Sequence, residues 1–318
     1  MSKRFTCTSL FSLTNSGRLA RIAAATCISL FLFICIGCGS KSSASINGPL
    51  TGNWQLNLTQ NYPTPSAQLS ASGFLVQASN SLTGSVQGPV IIGASEFHEC
   101  GGQGPLTGTI SGQDVTFSLN PGGATLQFVG AISSDNTSMS GTYQGLSGAC
   151  YNQSSTSGTF TAQLVPPLNG SFTGTLNSGN YMEALNGTTT PVPVSVSGSF
   201  TQSPNADSSS ATLTGTITAA GYPCFTTASM VGTISGQAVY LAIYSYNGQQ
   251  IGTIGTLGSF GLPGSPATVE LSSSGMALTD SNPTGFDLNI SSPCPAVNNP
   301  TTGFAQTTDF GSFTLTLD

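Results

Sequence analysis

Residues 95–100, with the sequence SEFHEC, bring together side chains that are well suited to metal chemistry. The stretch contains His98, the single histidine of the chain, beside Glu96, Glu99 and Cys100. Alternate residues of a strand point to the same face, so a strand here would present Glu96, His98 and Cys100 together. Carboxylate, imidazole and thiolate groups are zinc ligands. Glu96 and His98 are therefore candidate metal ligands, against the alternative of a partly solvated strand end beside a disulfide.

An internal repeat separates these two alternatives. GTISGQDV at 108–115 recurs as GTISGQAV at 232–239, an offset of 124 residues. The same offset relates Cys100 to Cys224, whereas alanine and tyrosine stand in place of the other two candidate ligands. Only the cysteine recurs, which favours the disulfide. The sequence therefore predicts no bound metal and no other cofactor.

The cysteines that follow the N-terminal segment are expected to form disulfides. They are Cys100, Cys150, Cys224 and Cys294. An even number of cysteines in an exported chain indicates a disulfide framework, and four cysteines allow three pairings. The repeat favours Cys100–Cys150 and Cys224–Cys294, because each copy then contains one disulfide and the cysteines keep the same order.

The sequence offers little support for a catalytic site. A Ser-His-acid set would have to use the single histidine, and no G-x-S-x-G segment lies near it. Glycoside hydrolysis requires two carboxylates on either side of the scissile bond. None of the eleven acidic residues recurs at an aligned position of the repeat. We predict no catalytic residues, and an envelope glycan hydrolase that uses paired carboxylates stays as an alternative.

Three tyrosines distinguish the second copy from the first. Tyr240, Tyr244 and Tyr246 occupy the positions that are Thr116, Asn120 and Gly122 in the first copy. Tyrosine offers a flat apolar face and a hydroxyl group, so exposed tyrosines in a row could stack on sugar rings or contact a partner protein. They are candidate ligand-binding residues. The alternative is that they pack between the two copies or under the insertion at 258–285.

The elements that carry these residues are predicted to be β-strands. Trp54, Leu56 and Leu58 alternate with polar residues, and later segments repeat this period of two, which is typical of antiparallel strands with one buried face. No helix is predicted. The strands of the first copy are expected at 52–60, 68–77, 82–88, 92–99, 106–111, 113–119, 124–133 with 138–145, and 157–165. Their short connections favour a closed meander barrel, and a β-sandwich is the competing fold.

The opening of the first strand resembles a known barrel family. LTGNW at 50–54 is similar to the Gly-x-Trp start of calycin barrels, such as lipocalins and avidins. The resemblance implies a barrel and no particular ligand. The second copy has LNGSF, with Phe172 in place of Trp54. A chain with one tryptophan also lacks the set of tryptophans that contacts biotin in avidins.

The N-terminal segment predicts export and lipidation. Four basic residues precede or flank the start of an apolar run at 22–36, as in a signal peptide. The end of that run, FICIGCGS, resembles the lipobox of bacterial lipoproteins, although Cys35 replaces the usual leucine at position −3. The resemblance implies that Cys38 is lipidated and binds the lipid bilayer. The residue directly after Cys38 is glycine and not aspartate, which by analogy with diderm bacteria favours the outer membrane.

These observations divide the chain into four segments. We predict a signal peptide at 1–37, the lipidated cysteine and a Ser-rich tether at 38–48, and all-β copies at 49–166 and 167–318. Beyond the leader the chain carries eleven acidic residues and one lysine, Lys41, which is a formal charge of about −10. Because no lysine or arginine follows Lys41, the surface of the copies cannot neutralise phosphates, so nucleic-acid binding is excluded.

The predicted function is that of an exported, membrane-anchored protein with a non-catalytic binding or structural role in the envelope. Its expected partner is a glycan or an envelope protein. A calyx-type carrier of a small apolar ligand is an alternative, and such a carrier requires an apolar cavity inside at least one barrel.

Overall fold

In a computed structural model, the described residues form an all-β fold with one short helix. The described residues are 48–62, 65–91, 102–121, 124–147, 156–203, 209–255, 267–272, 275–280, 284–290, 294–298 and 303–318. The predicted fold class is confirmed, and the strands form two tandem closed antiparallel barrels rather than sandwiches. This architecture is consistent with calycin-like barrels.

The first barrel is a closed meander of eight strands. Each strand pairs with the next, and the last returns to the first, where Trp54 lies opposite Leu164. The strands are β1 (Gly52–Tyr62), β2 (Gln68–Ala78), β3 (Ser81–Ile91), β4 (Gln103–Ser111), β5 (Asp114–Leu119), β6 (Thr125–Ile132), β7 (Ser138–Ser147) and β8 (Ser157–Val165). The predicted segment 124–133 with 138–145 forms two strands, β6 and β7. The predicted strand at 92–99 lies outside the described residues.

The second barrel places ten strands in eight positions of its wall. They are β9 (Gly170–Ser178), β10 (Val192–Gln202), β11 (Ala211–Ala219), β12 (Thr227–Ser235), β13 (Ala238–Tyr244), β14 (Gln250–Ile254), β15 (Ala267–Ser272), β16 (Gly275–Asp280), β17 (Phe286–Asn289) and β18 (Thr308–Leu317). Both β14 and β15 pair with β13, and both β16 and β17 pair with β18. The wall therefore has two interrupted positions, which correspond to β6 and β7 of the first barrel.

Alternating inward residues fill each barrel with a separate core. In the first, Trp54 is fully buried and its Nε1 group donates to the Leu50 carbonyl at 2.9 Å. Phe117 stacks on Phe128 with ring centroids 4.6 Å apart, and Phe160 contacts Phe128 edge-on at 5.2 Å. Each buried aromatic ring contributes about 1.5–3 kcal/mol through the hydrophobic effect. The aromatic core stabilises the barrel and fills its centre.

Phe172 takes the place of Trp54 in the second barrel. It stacks on Phe200 at 4.7 Å. Gly198 lies beside this pair, and a Cβ atom there would approach the Thr216 carbonyl to 1.9 Å and Cζ of Phe172 to 2.6 Å. The missing side chain of Gly198 thus leaves the space that the Phe172 ring occupies.

A short helix, α1 (Tyr181–Asn186), connects β9 and β10. The prediction that the chain has no helix is wrong here. Six residues make fewer than two turns, which is too short for a 3.6-residue apolar pattern to show in the sequence. The helix ends at Gly187, whose φ of 65° is the left-handed conformation typical of a helix C-terminus.

A hairpin of the second barrel contacts the outer face of the first. The turn between β12 and β13 lies on β1 and β2, where Asn53 binds Gly236 and the hydroxyl groups of Ser72 and Ser235 are 2.8 Å apart. Phe74, an outward residue of β2, is buried in the apolar cluster of the second barrel. Polar and apolar contacts therefore join the two barrels directly.

Candidate functional site

One end of the second barrel forms a concave mouth. The connections β11–β12, β13–β14 and β17–β18 all lie at this end because the strands alternate in direction. A cavity of about 530 Å³ opens between them. Ligand sites of this size are common in proteins, and barrel mouths are among their usual positions.

The Cys224–Cys294 disulfide forms part of the cavity wall. It joins the β11–β12 connection to the β17–β18 connection, across a sequence separation of 70 residues and with 4.3 Å between the two Cα atoms. This pairing of the second copy is confirmed. The bond fixes two of the segments that surround the mouth.

A buried carboxylate lies beneath the cavity. Asp309 belongs to β18, points into the barrel and has 0 % exposure. The Ser178 hydroxyl donates to it at 2.7–2.8 Å, the Tyr222 hydroxyl donates to Oδ2 at 2.8 Å, and the Tyr181 amide donates to Oδ1 at 3.3 Å. These donors compensate for the loss of water around the carboxylate.

The electrostatics of this network follow from burial. Burial raises the pKa of Asp309, and the hydrogen bonds from Ser178, Tyr222 and the backbone of residues 180 and 181 oppose that rise. Burial also raises the pKa of the Tyr222 hydroxyl, and the charge of Asp309 raises it further. Tyr222 is therefore a neutral hydrogen-bond donor to Asp309, and this bond fixes its ring at the base of the cavity.

The lining of the cavity is uncharged. Tyr222, Phe225 and Tyr246 supply aromatic rings, and Ile251 and Leu288 supply aliphatic surface. Amide and hydroxyl groups complete the wall, contributed by Asn247, Gln249, Asn289, Thr226, Thr227 and Ser245. Among the described residues, none that lines this cavity carries a carboxylate, ammonium, guanidinium or imidazole group. Such a surface can bind through van der Waals contacts and neutral hydrogen bonds.

The structure divides the three predicted tyrosines between two places. Tyr246 lies at the mouth and is 97 % exposed. Tyr240 and Tyr244 are half-buried on the outer face of β13, whose inward residues are Val239, Leu241 and Ile243. Burial raises the pKa of the Tyr240 hydroxyl. The tyrosines are thus not one exposed row, and Tyr246 alone of the three contributes to the cavity.

The other predicted site residues fall in segments that the structure does not describe. Cys38, Glu96, His98, Cys100 and Cys150 all lie outside the described residues. The lipidation site, the candidate metal ligands and the first predicted disulfide therefore stay predictions.

Sequence reasoning did not identify Asp309 as a notable residue, although a signal was present. In the sequence TDFGSFTLTL, Asp309 falls on the same alternation as Phe313, Leu315 and Leu317. An acid on the apolar face of a strand is a signal of a buried polar network, because a carboxylate in a core must be hydrogen-bonded.

Searches against protein-family models, curated proteins and solved structures gave no match for this chain. In the described part of the chain, no helix has the length and apolar character needed to cross a membrane.

Proposed function

We propose that this protein is an exported, lipid-anchored envelope protein that binds a ligand, without catalysis, at the mouth of its second barrel. The observation that carries the proposal is the cavity of about 530 Å³ with an uncharged aromatic, amide and hydroxyl lining. The exposed ring of Tyr246 provides apolar contact area above the buried rings of Tyr222 and Phe225, and the surrounding polar groups provide orientation.

Anchoring is the part of the proposal that rests on the sequence. The lipobox-like segment makes Cys38 the lipidated residue, and acyl chains on Cys38 insert into the bilayer. The barrels then follow the tether at 38–48, in the outer membrane of a diderm bacterium. The first barrel is similar to lipocalins and avidins in its Gly-x-Trp start. The partner is a glycan or an envelope protein.

None of the described residues that line the cavity carries a carboxylate, which supports binding rather than hydrolysis. Glycosidases use two carboxyl groups about 5–10 Å apart, one on each side of the scissile bond. Asp309 is a described carboxylate that is hydrogen-bonded to a lining residue, Tyr222. It is buried beneath Tyr222 and accepts hydrogen bonds from three residues. It is not placed to transfer a proton to a ligand in the mouth.

The filled interior supports binding at the mouth rather than deep in the barrel. Phe172, Phe200, Phe286 and Phe313 are all buried in the core of the second barrel. A carrier of the calyx type encloses its ligand at the barrel centre. Here aromatic side chains occupy that space, so the ligand surface begins at the level of Tyr222.

Retention on envelope material tests this proposal. Purified full-length protein in detergent is incubated with a lipid-free envelope fraction, and the bound fraction is measured. We expect Tyr246→Ser to reduce retention about tenfold, because it removes the exposed ring of the mouth. The matched control is the double variant Tyr240→Ser/Tyr244→Ser, which alters the outer face of β13 and should retain binding. Equal retention by Tyr246→Ser and the wild type would refute the site.

A further inference from the structure

The ligand chemistry of the mouth can be derived from its lining, if the proposed binding function is correct. We infer that the mouth binds the uncharged terminal sugars of a saccharide chain. Four properties of the described residues support this inference: the absence of charge, the balance of donors and acceptors, the aromatic rings and the closed base.

Charge selects against ionic ligands. The lining residues are neutral, and the chain has no lysine or arginine after Lys41. A charged ligand group that enters a cavity loses part of its hydration and needs an opposite charge as compensation. Neither an anionic nor a cationic ligand finds that partner among the described lining residues. The favoured ligand is therefore neutral.

The polar groups of the lining match a ligand with many hydroxyl groups. The Oδ1 atom of Asn247 accepts hydrogen bonds from the Ser245 hydroxyl and from the backbone amide of Gln249. These bonds fix the Asn247 side chain and leave its Nδ2 group as a donor. Gln249 is exposed in the lining, and its side-chain amide provides both an acceptor and a donor. A hydroxyl group both donates and accepts. Sugar hydroxyls can therefore bind both kinds of group.

The aromatic rings supply the apolar contact that a neutral sugar requires. Tyr246 is 97 % exposed, and its ring is free for contact with a ligand at the rim. Phe225, by contrast, is largely buried and contacts Tyr222 at a centroid distance of 5.4 Å. The C–H faces of a sugar ring pack against such aromatic faces, since these are flat and apolar. The rim thus has an exposed ring, and the base has two fixed rings.

The base of the cavity is closed, which favours a chain end over the middle of a chain. The Tyr222 hydroxyl donates a hydrogen bond to Asp309, which also accepts hydrogen bonds from the Ser178 hydroxyl and the Tyr181 backbone amide at the start of α1. The Cys224–Cys294 disulfide fixes the adjoining wall. A polymer that enters this cavity cannot continue through it, so its terminal residues make the contacts.

Calorimetric titration of the full-length protein in detergent tests the inference. The neutral probes are the hexamers of cellulose, amylose and chitin, and the charged probes are hexagalacturonic acid and the chitosan hexamer. We expect at least one neutral hexamer to bind, with the same affinity at about 0.05 M and about 0.5 M salt, since no ion pair is screened. Its trimer should bind almost as tightly, because only the chain end enters the cavity.

Two variants connect the binding to the mouth. Tyr246→Ala should weaken binding of the neutral hexamer about tenfold, and Tyr244→Ala on the outer face of β13 should not change it. Binding of a charged hexamer in place of the neutral ones, still sensitive to Tyr246→Ala, would overturn the ligand class and leave the proposed site intact. The same conclusion follows if no neutral hexamer binds while envelope retention still depends on Tyr246. Binding of a hexamer that is unchanged by Tyr246→Ala would refute the mouth as the binding site.

Discussion

Asn53 binds Gly236 through both polar atoms of its side-chain amide. Its Nδ2 group donates to the Gly236 carbonyl at 2.8 Å, and its Oδ1 atom accepts from the Gly236 amide at 2.7 Å. The two residues are 183 positions apart and belong to different barrels. The adjacent Gln237 amide donates to Oε1 of Gln55 at 3.1 Å. These bonds satisfy buried backbone groups of the turn, so the contact between the barrels is specific.

The repeated hairpin provides a matched test of this contact. Gly112 and Gly236 occupy the same position of the two GTISGQ copies and have φ values of 65° and 56°. Alanine at either position costs about 1–2 kcal/mol, because L-residues disfavour this conformation. A Cβ atom at Gly236 would also come within 2.6 Å of Cβ of Ser72 and 2.3 Å of Oε1 of Gln55, whereas none of the described atoms lies within 4 Å of one at Gly112. We expect Gly236→Ala to lower the free energy of unfolding by about 1–3 kcal/mol more than Gly112→Ala, as overpacking typically does.

Urea denaturation of the full-length variants, followed by circular dichroism, measures this difference. Gly112→Ala serves as the control for backbone strain alone. Equal losses in the two variants would show that the barrel contact contributes little to stability.

The buried carboxylate predicts a pH dependence of stability. Burial raises the pKa of Asp309 above its value in the unfolded chain, so the native state holds the proton more tightly. The contribution of Asp309 to stability is therefore largest below the unfolded pKa and decreases as the pH rises through the native pKa. Asp309→Asn removes this titration. The free energy of unfolding of the wild type, relative to Asp309→Asn, should increase as the pH falls from 7 to about 4.

This comparison cancels the contributions of the other acids, which are the same in both proteins. Denaturation at several pH values gives the difference directly. A difference that is constant with pH, or that decreases as the pH falls, would contradict a raised pKa at Asp309.

The disulfides can be mapped by mass spectrometry of unreduced digests. Chymotrypsin is needed because the chain has no lysine or arginine after Lys41, so trypsin cannot separate the cysteines. We expect linked peptides for Cys224–Cys294 and, from the repeat, for Cys100–Cys150. Replacing Cys224 and Cys294 together by serine should lower the free energy of unfolding by about 2–4 kcal/mol, since the bond restricts the unfolded chain. Peptides that link cysteines of different copies would contradict the repeat-based pairing.

Lipidation can be tested on neighbouring cysteines of the leader. Cys38→Ala should abolish incorporation of labelled palmitate and release the protein from the membrane fraction, because the acyl acceptor is lost. Cys35→Ala is the matched control, since it changes a cysteine three positions earlier and should preserve both properties. Continued labelling of Cys38→Ala would place the anchor at another residue.

The sequence was sufficient to predict the barrel walls because their evidence is local and repeated. Alternation around Trp54, Leu56 and Leu58 places them inside β1, where all three are buried. The order of the cysteines likewise predicted Cys224–Cys294. Both predictions use patterns that neighbouring residues or the two copies express directly.

The mouth could not be predicted because its residues come from separate connections. Tyr222, Tyr246 and Leu288 meet only after the strands between them have closed into a barrel. The spacing of Tyr240, Tyr244 and Tyr246 predicts that they share one face, but Tyr246 lies in the turn after β13, where the alternation of strand residues no longer applies. Strand period indicates inner and outer faces, and it carries no information about which connections meet at a barrel end.

The interrupted positions of the second barrel have a consequence for how this fold accommodates additional sequence. Ile254 at the end of β14 lies opposite Leu241, and Ala267 at the start of β15 lies opposite Val239. The two strands are therefore offset by two residues along β13, although Ile254 and Ala267 are thirteen positions apart in the chain. Closure depends on the hydrogen bonds on either side of the break and not on an unbroken strand. The second barrel therefore closes with two short strands, β14 and β15, in the wall position that β6 occupies alone in the first barrel.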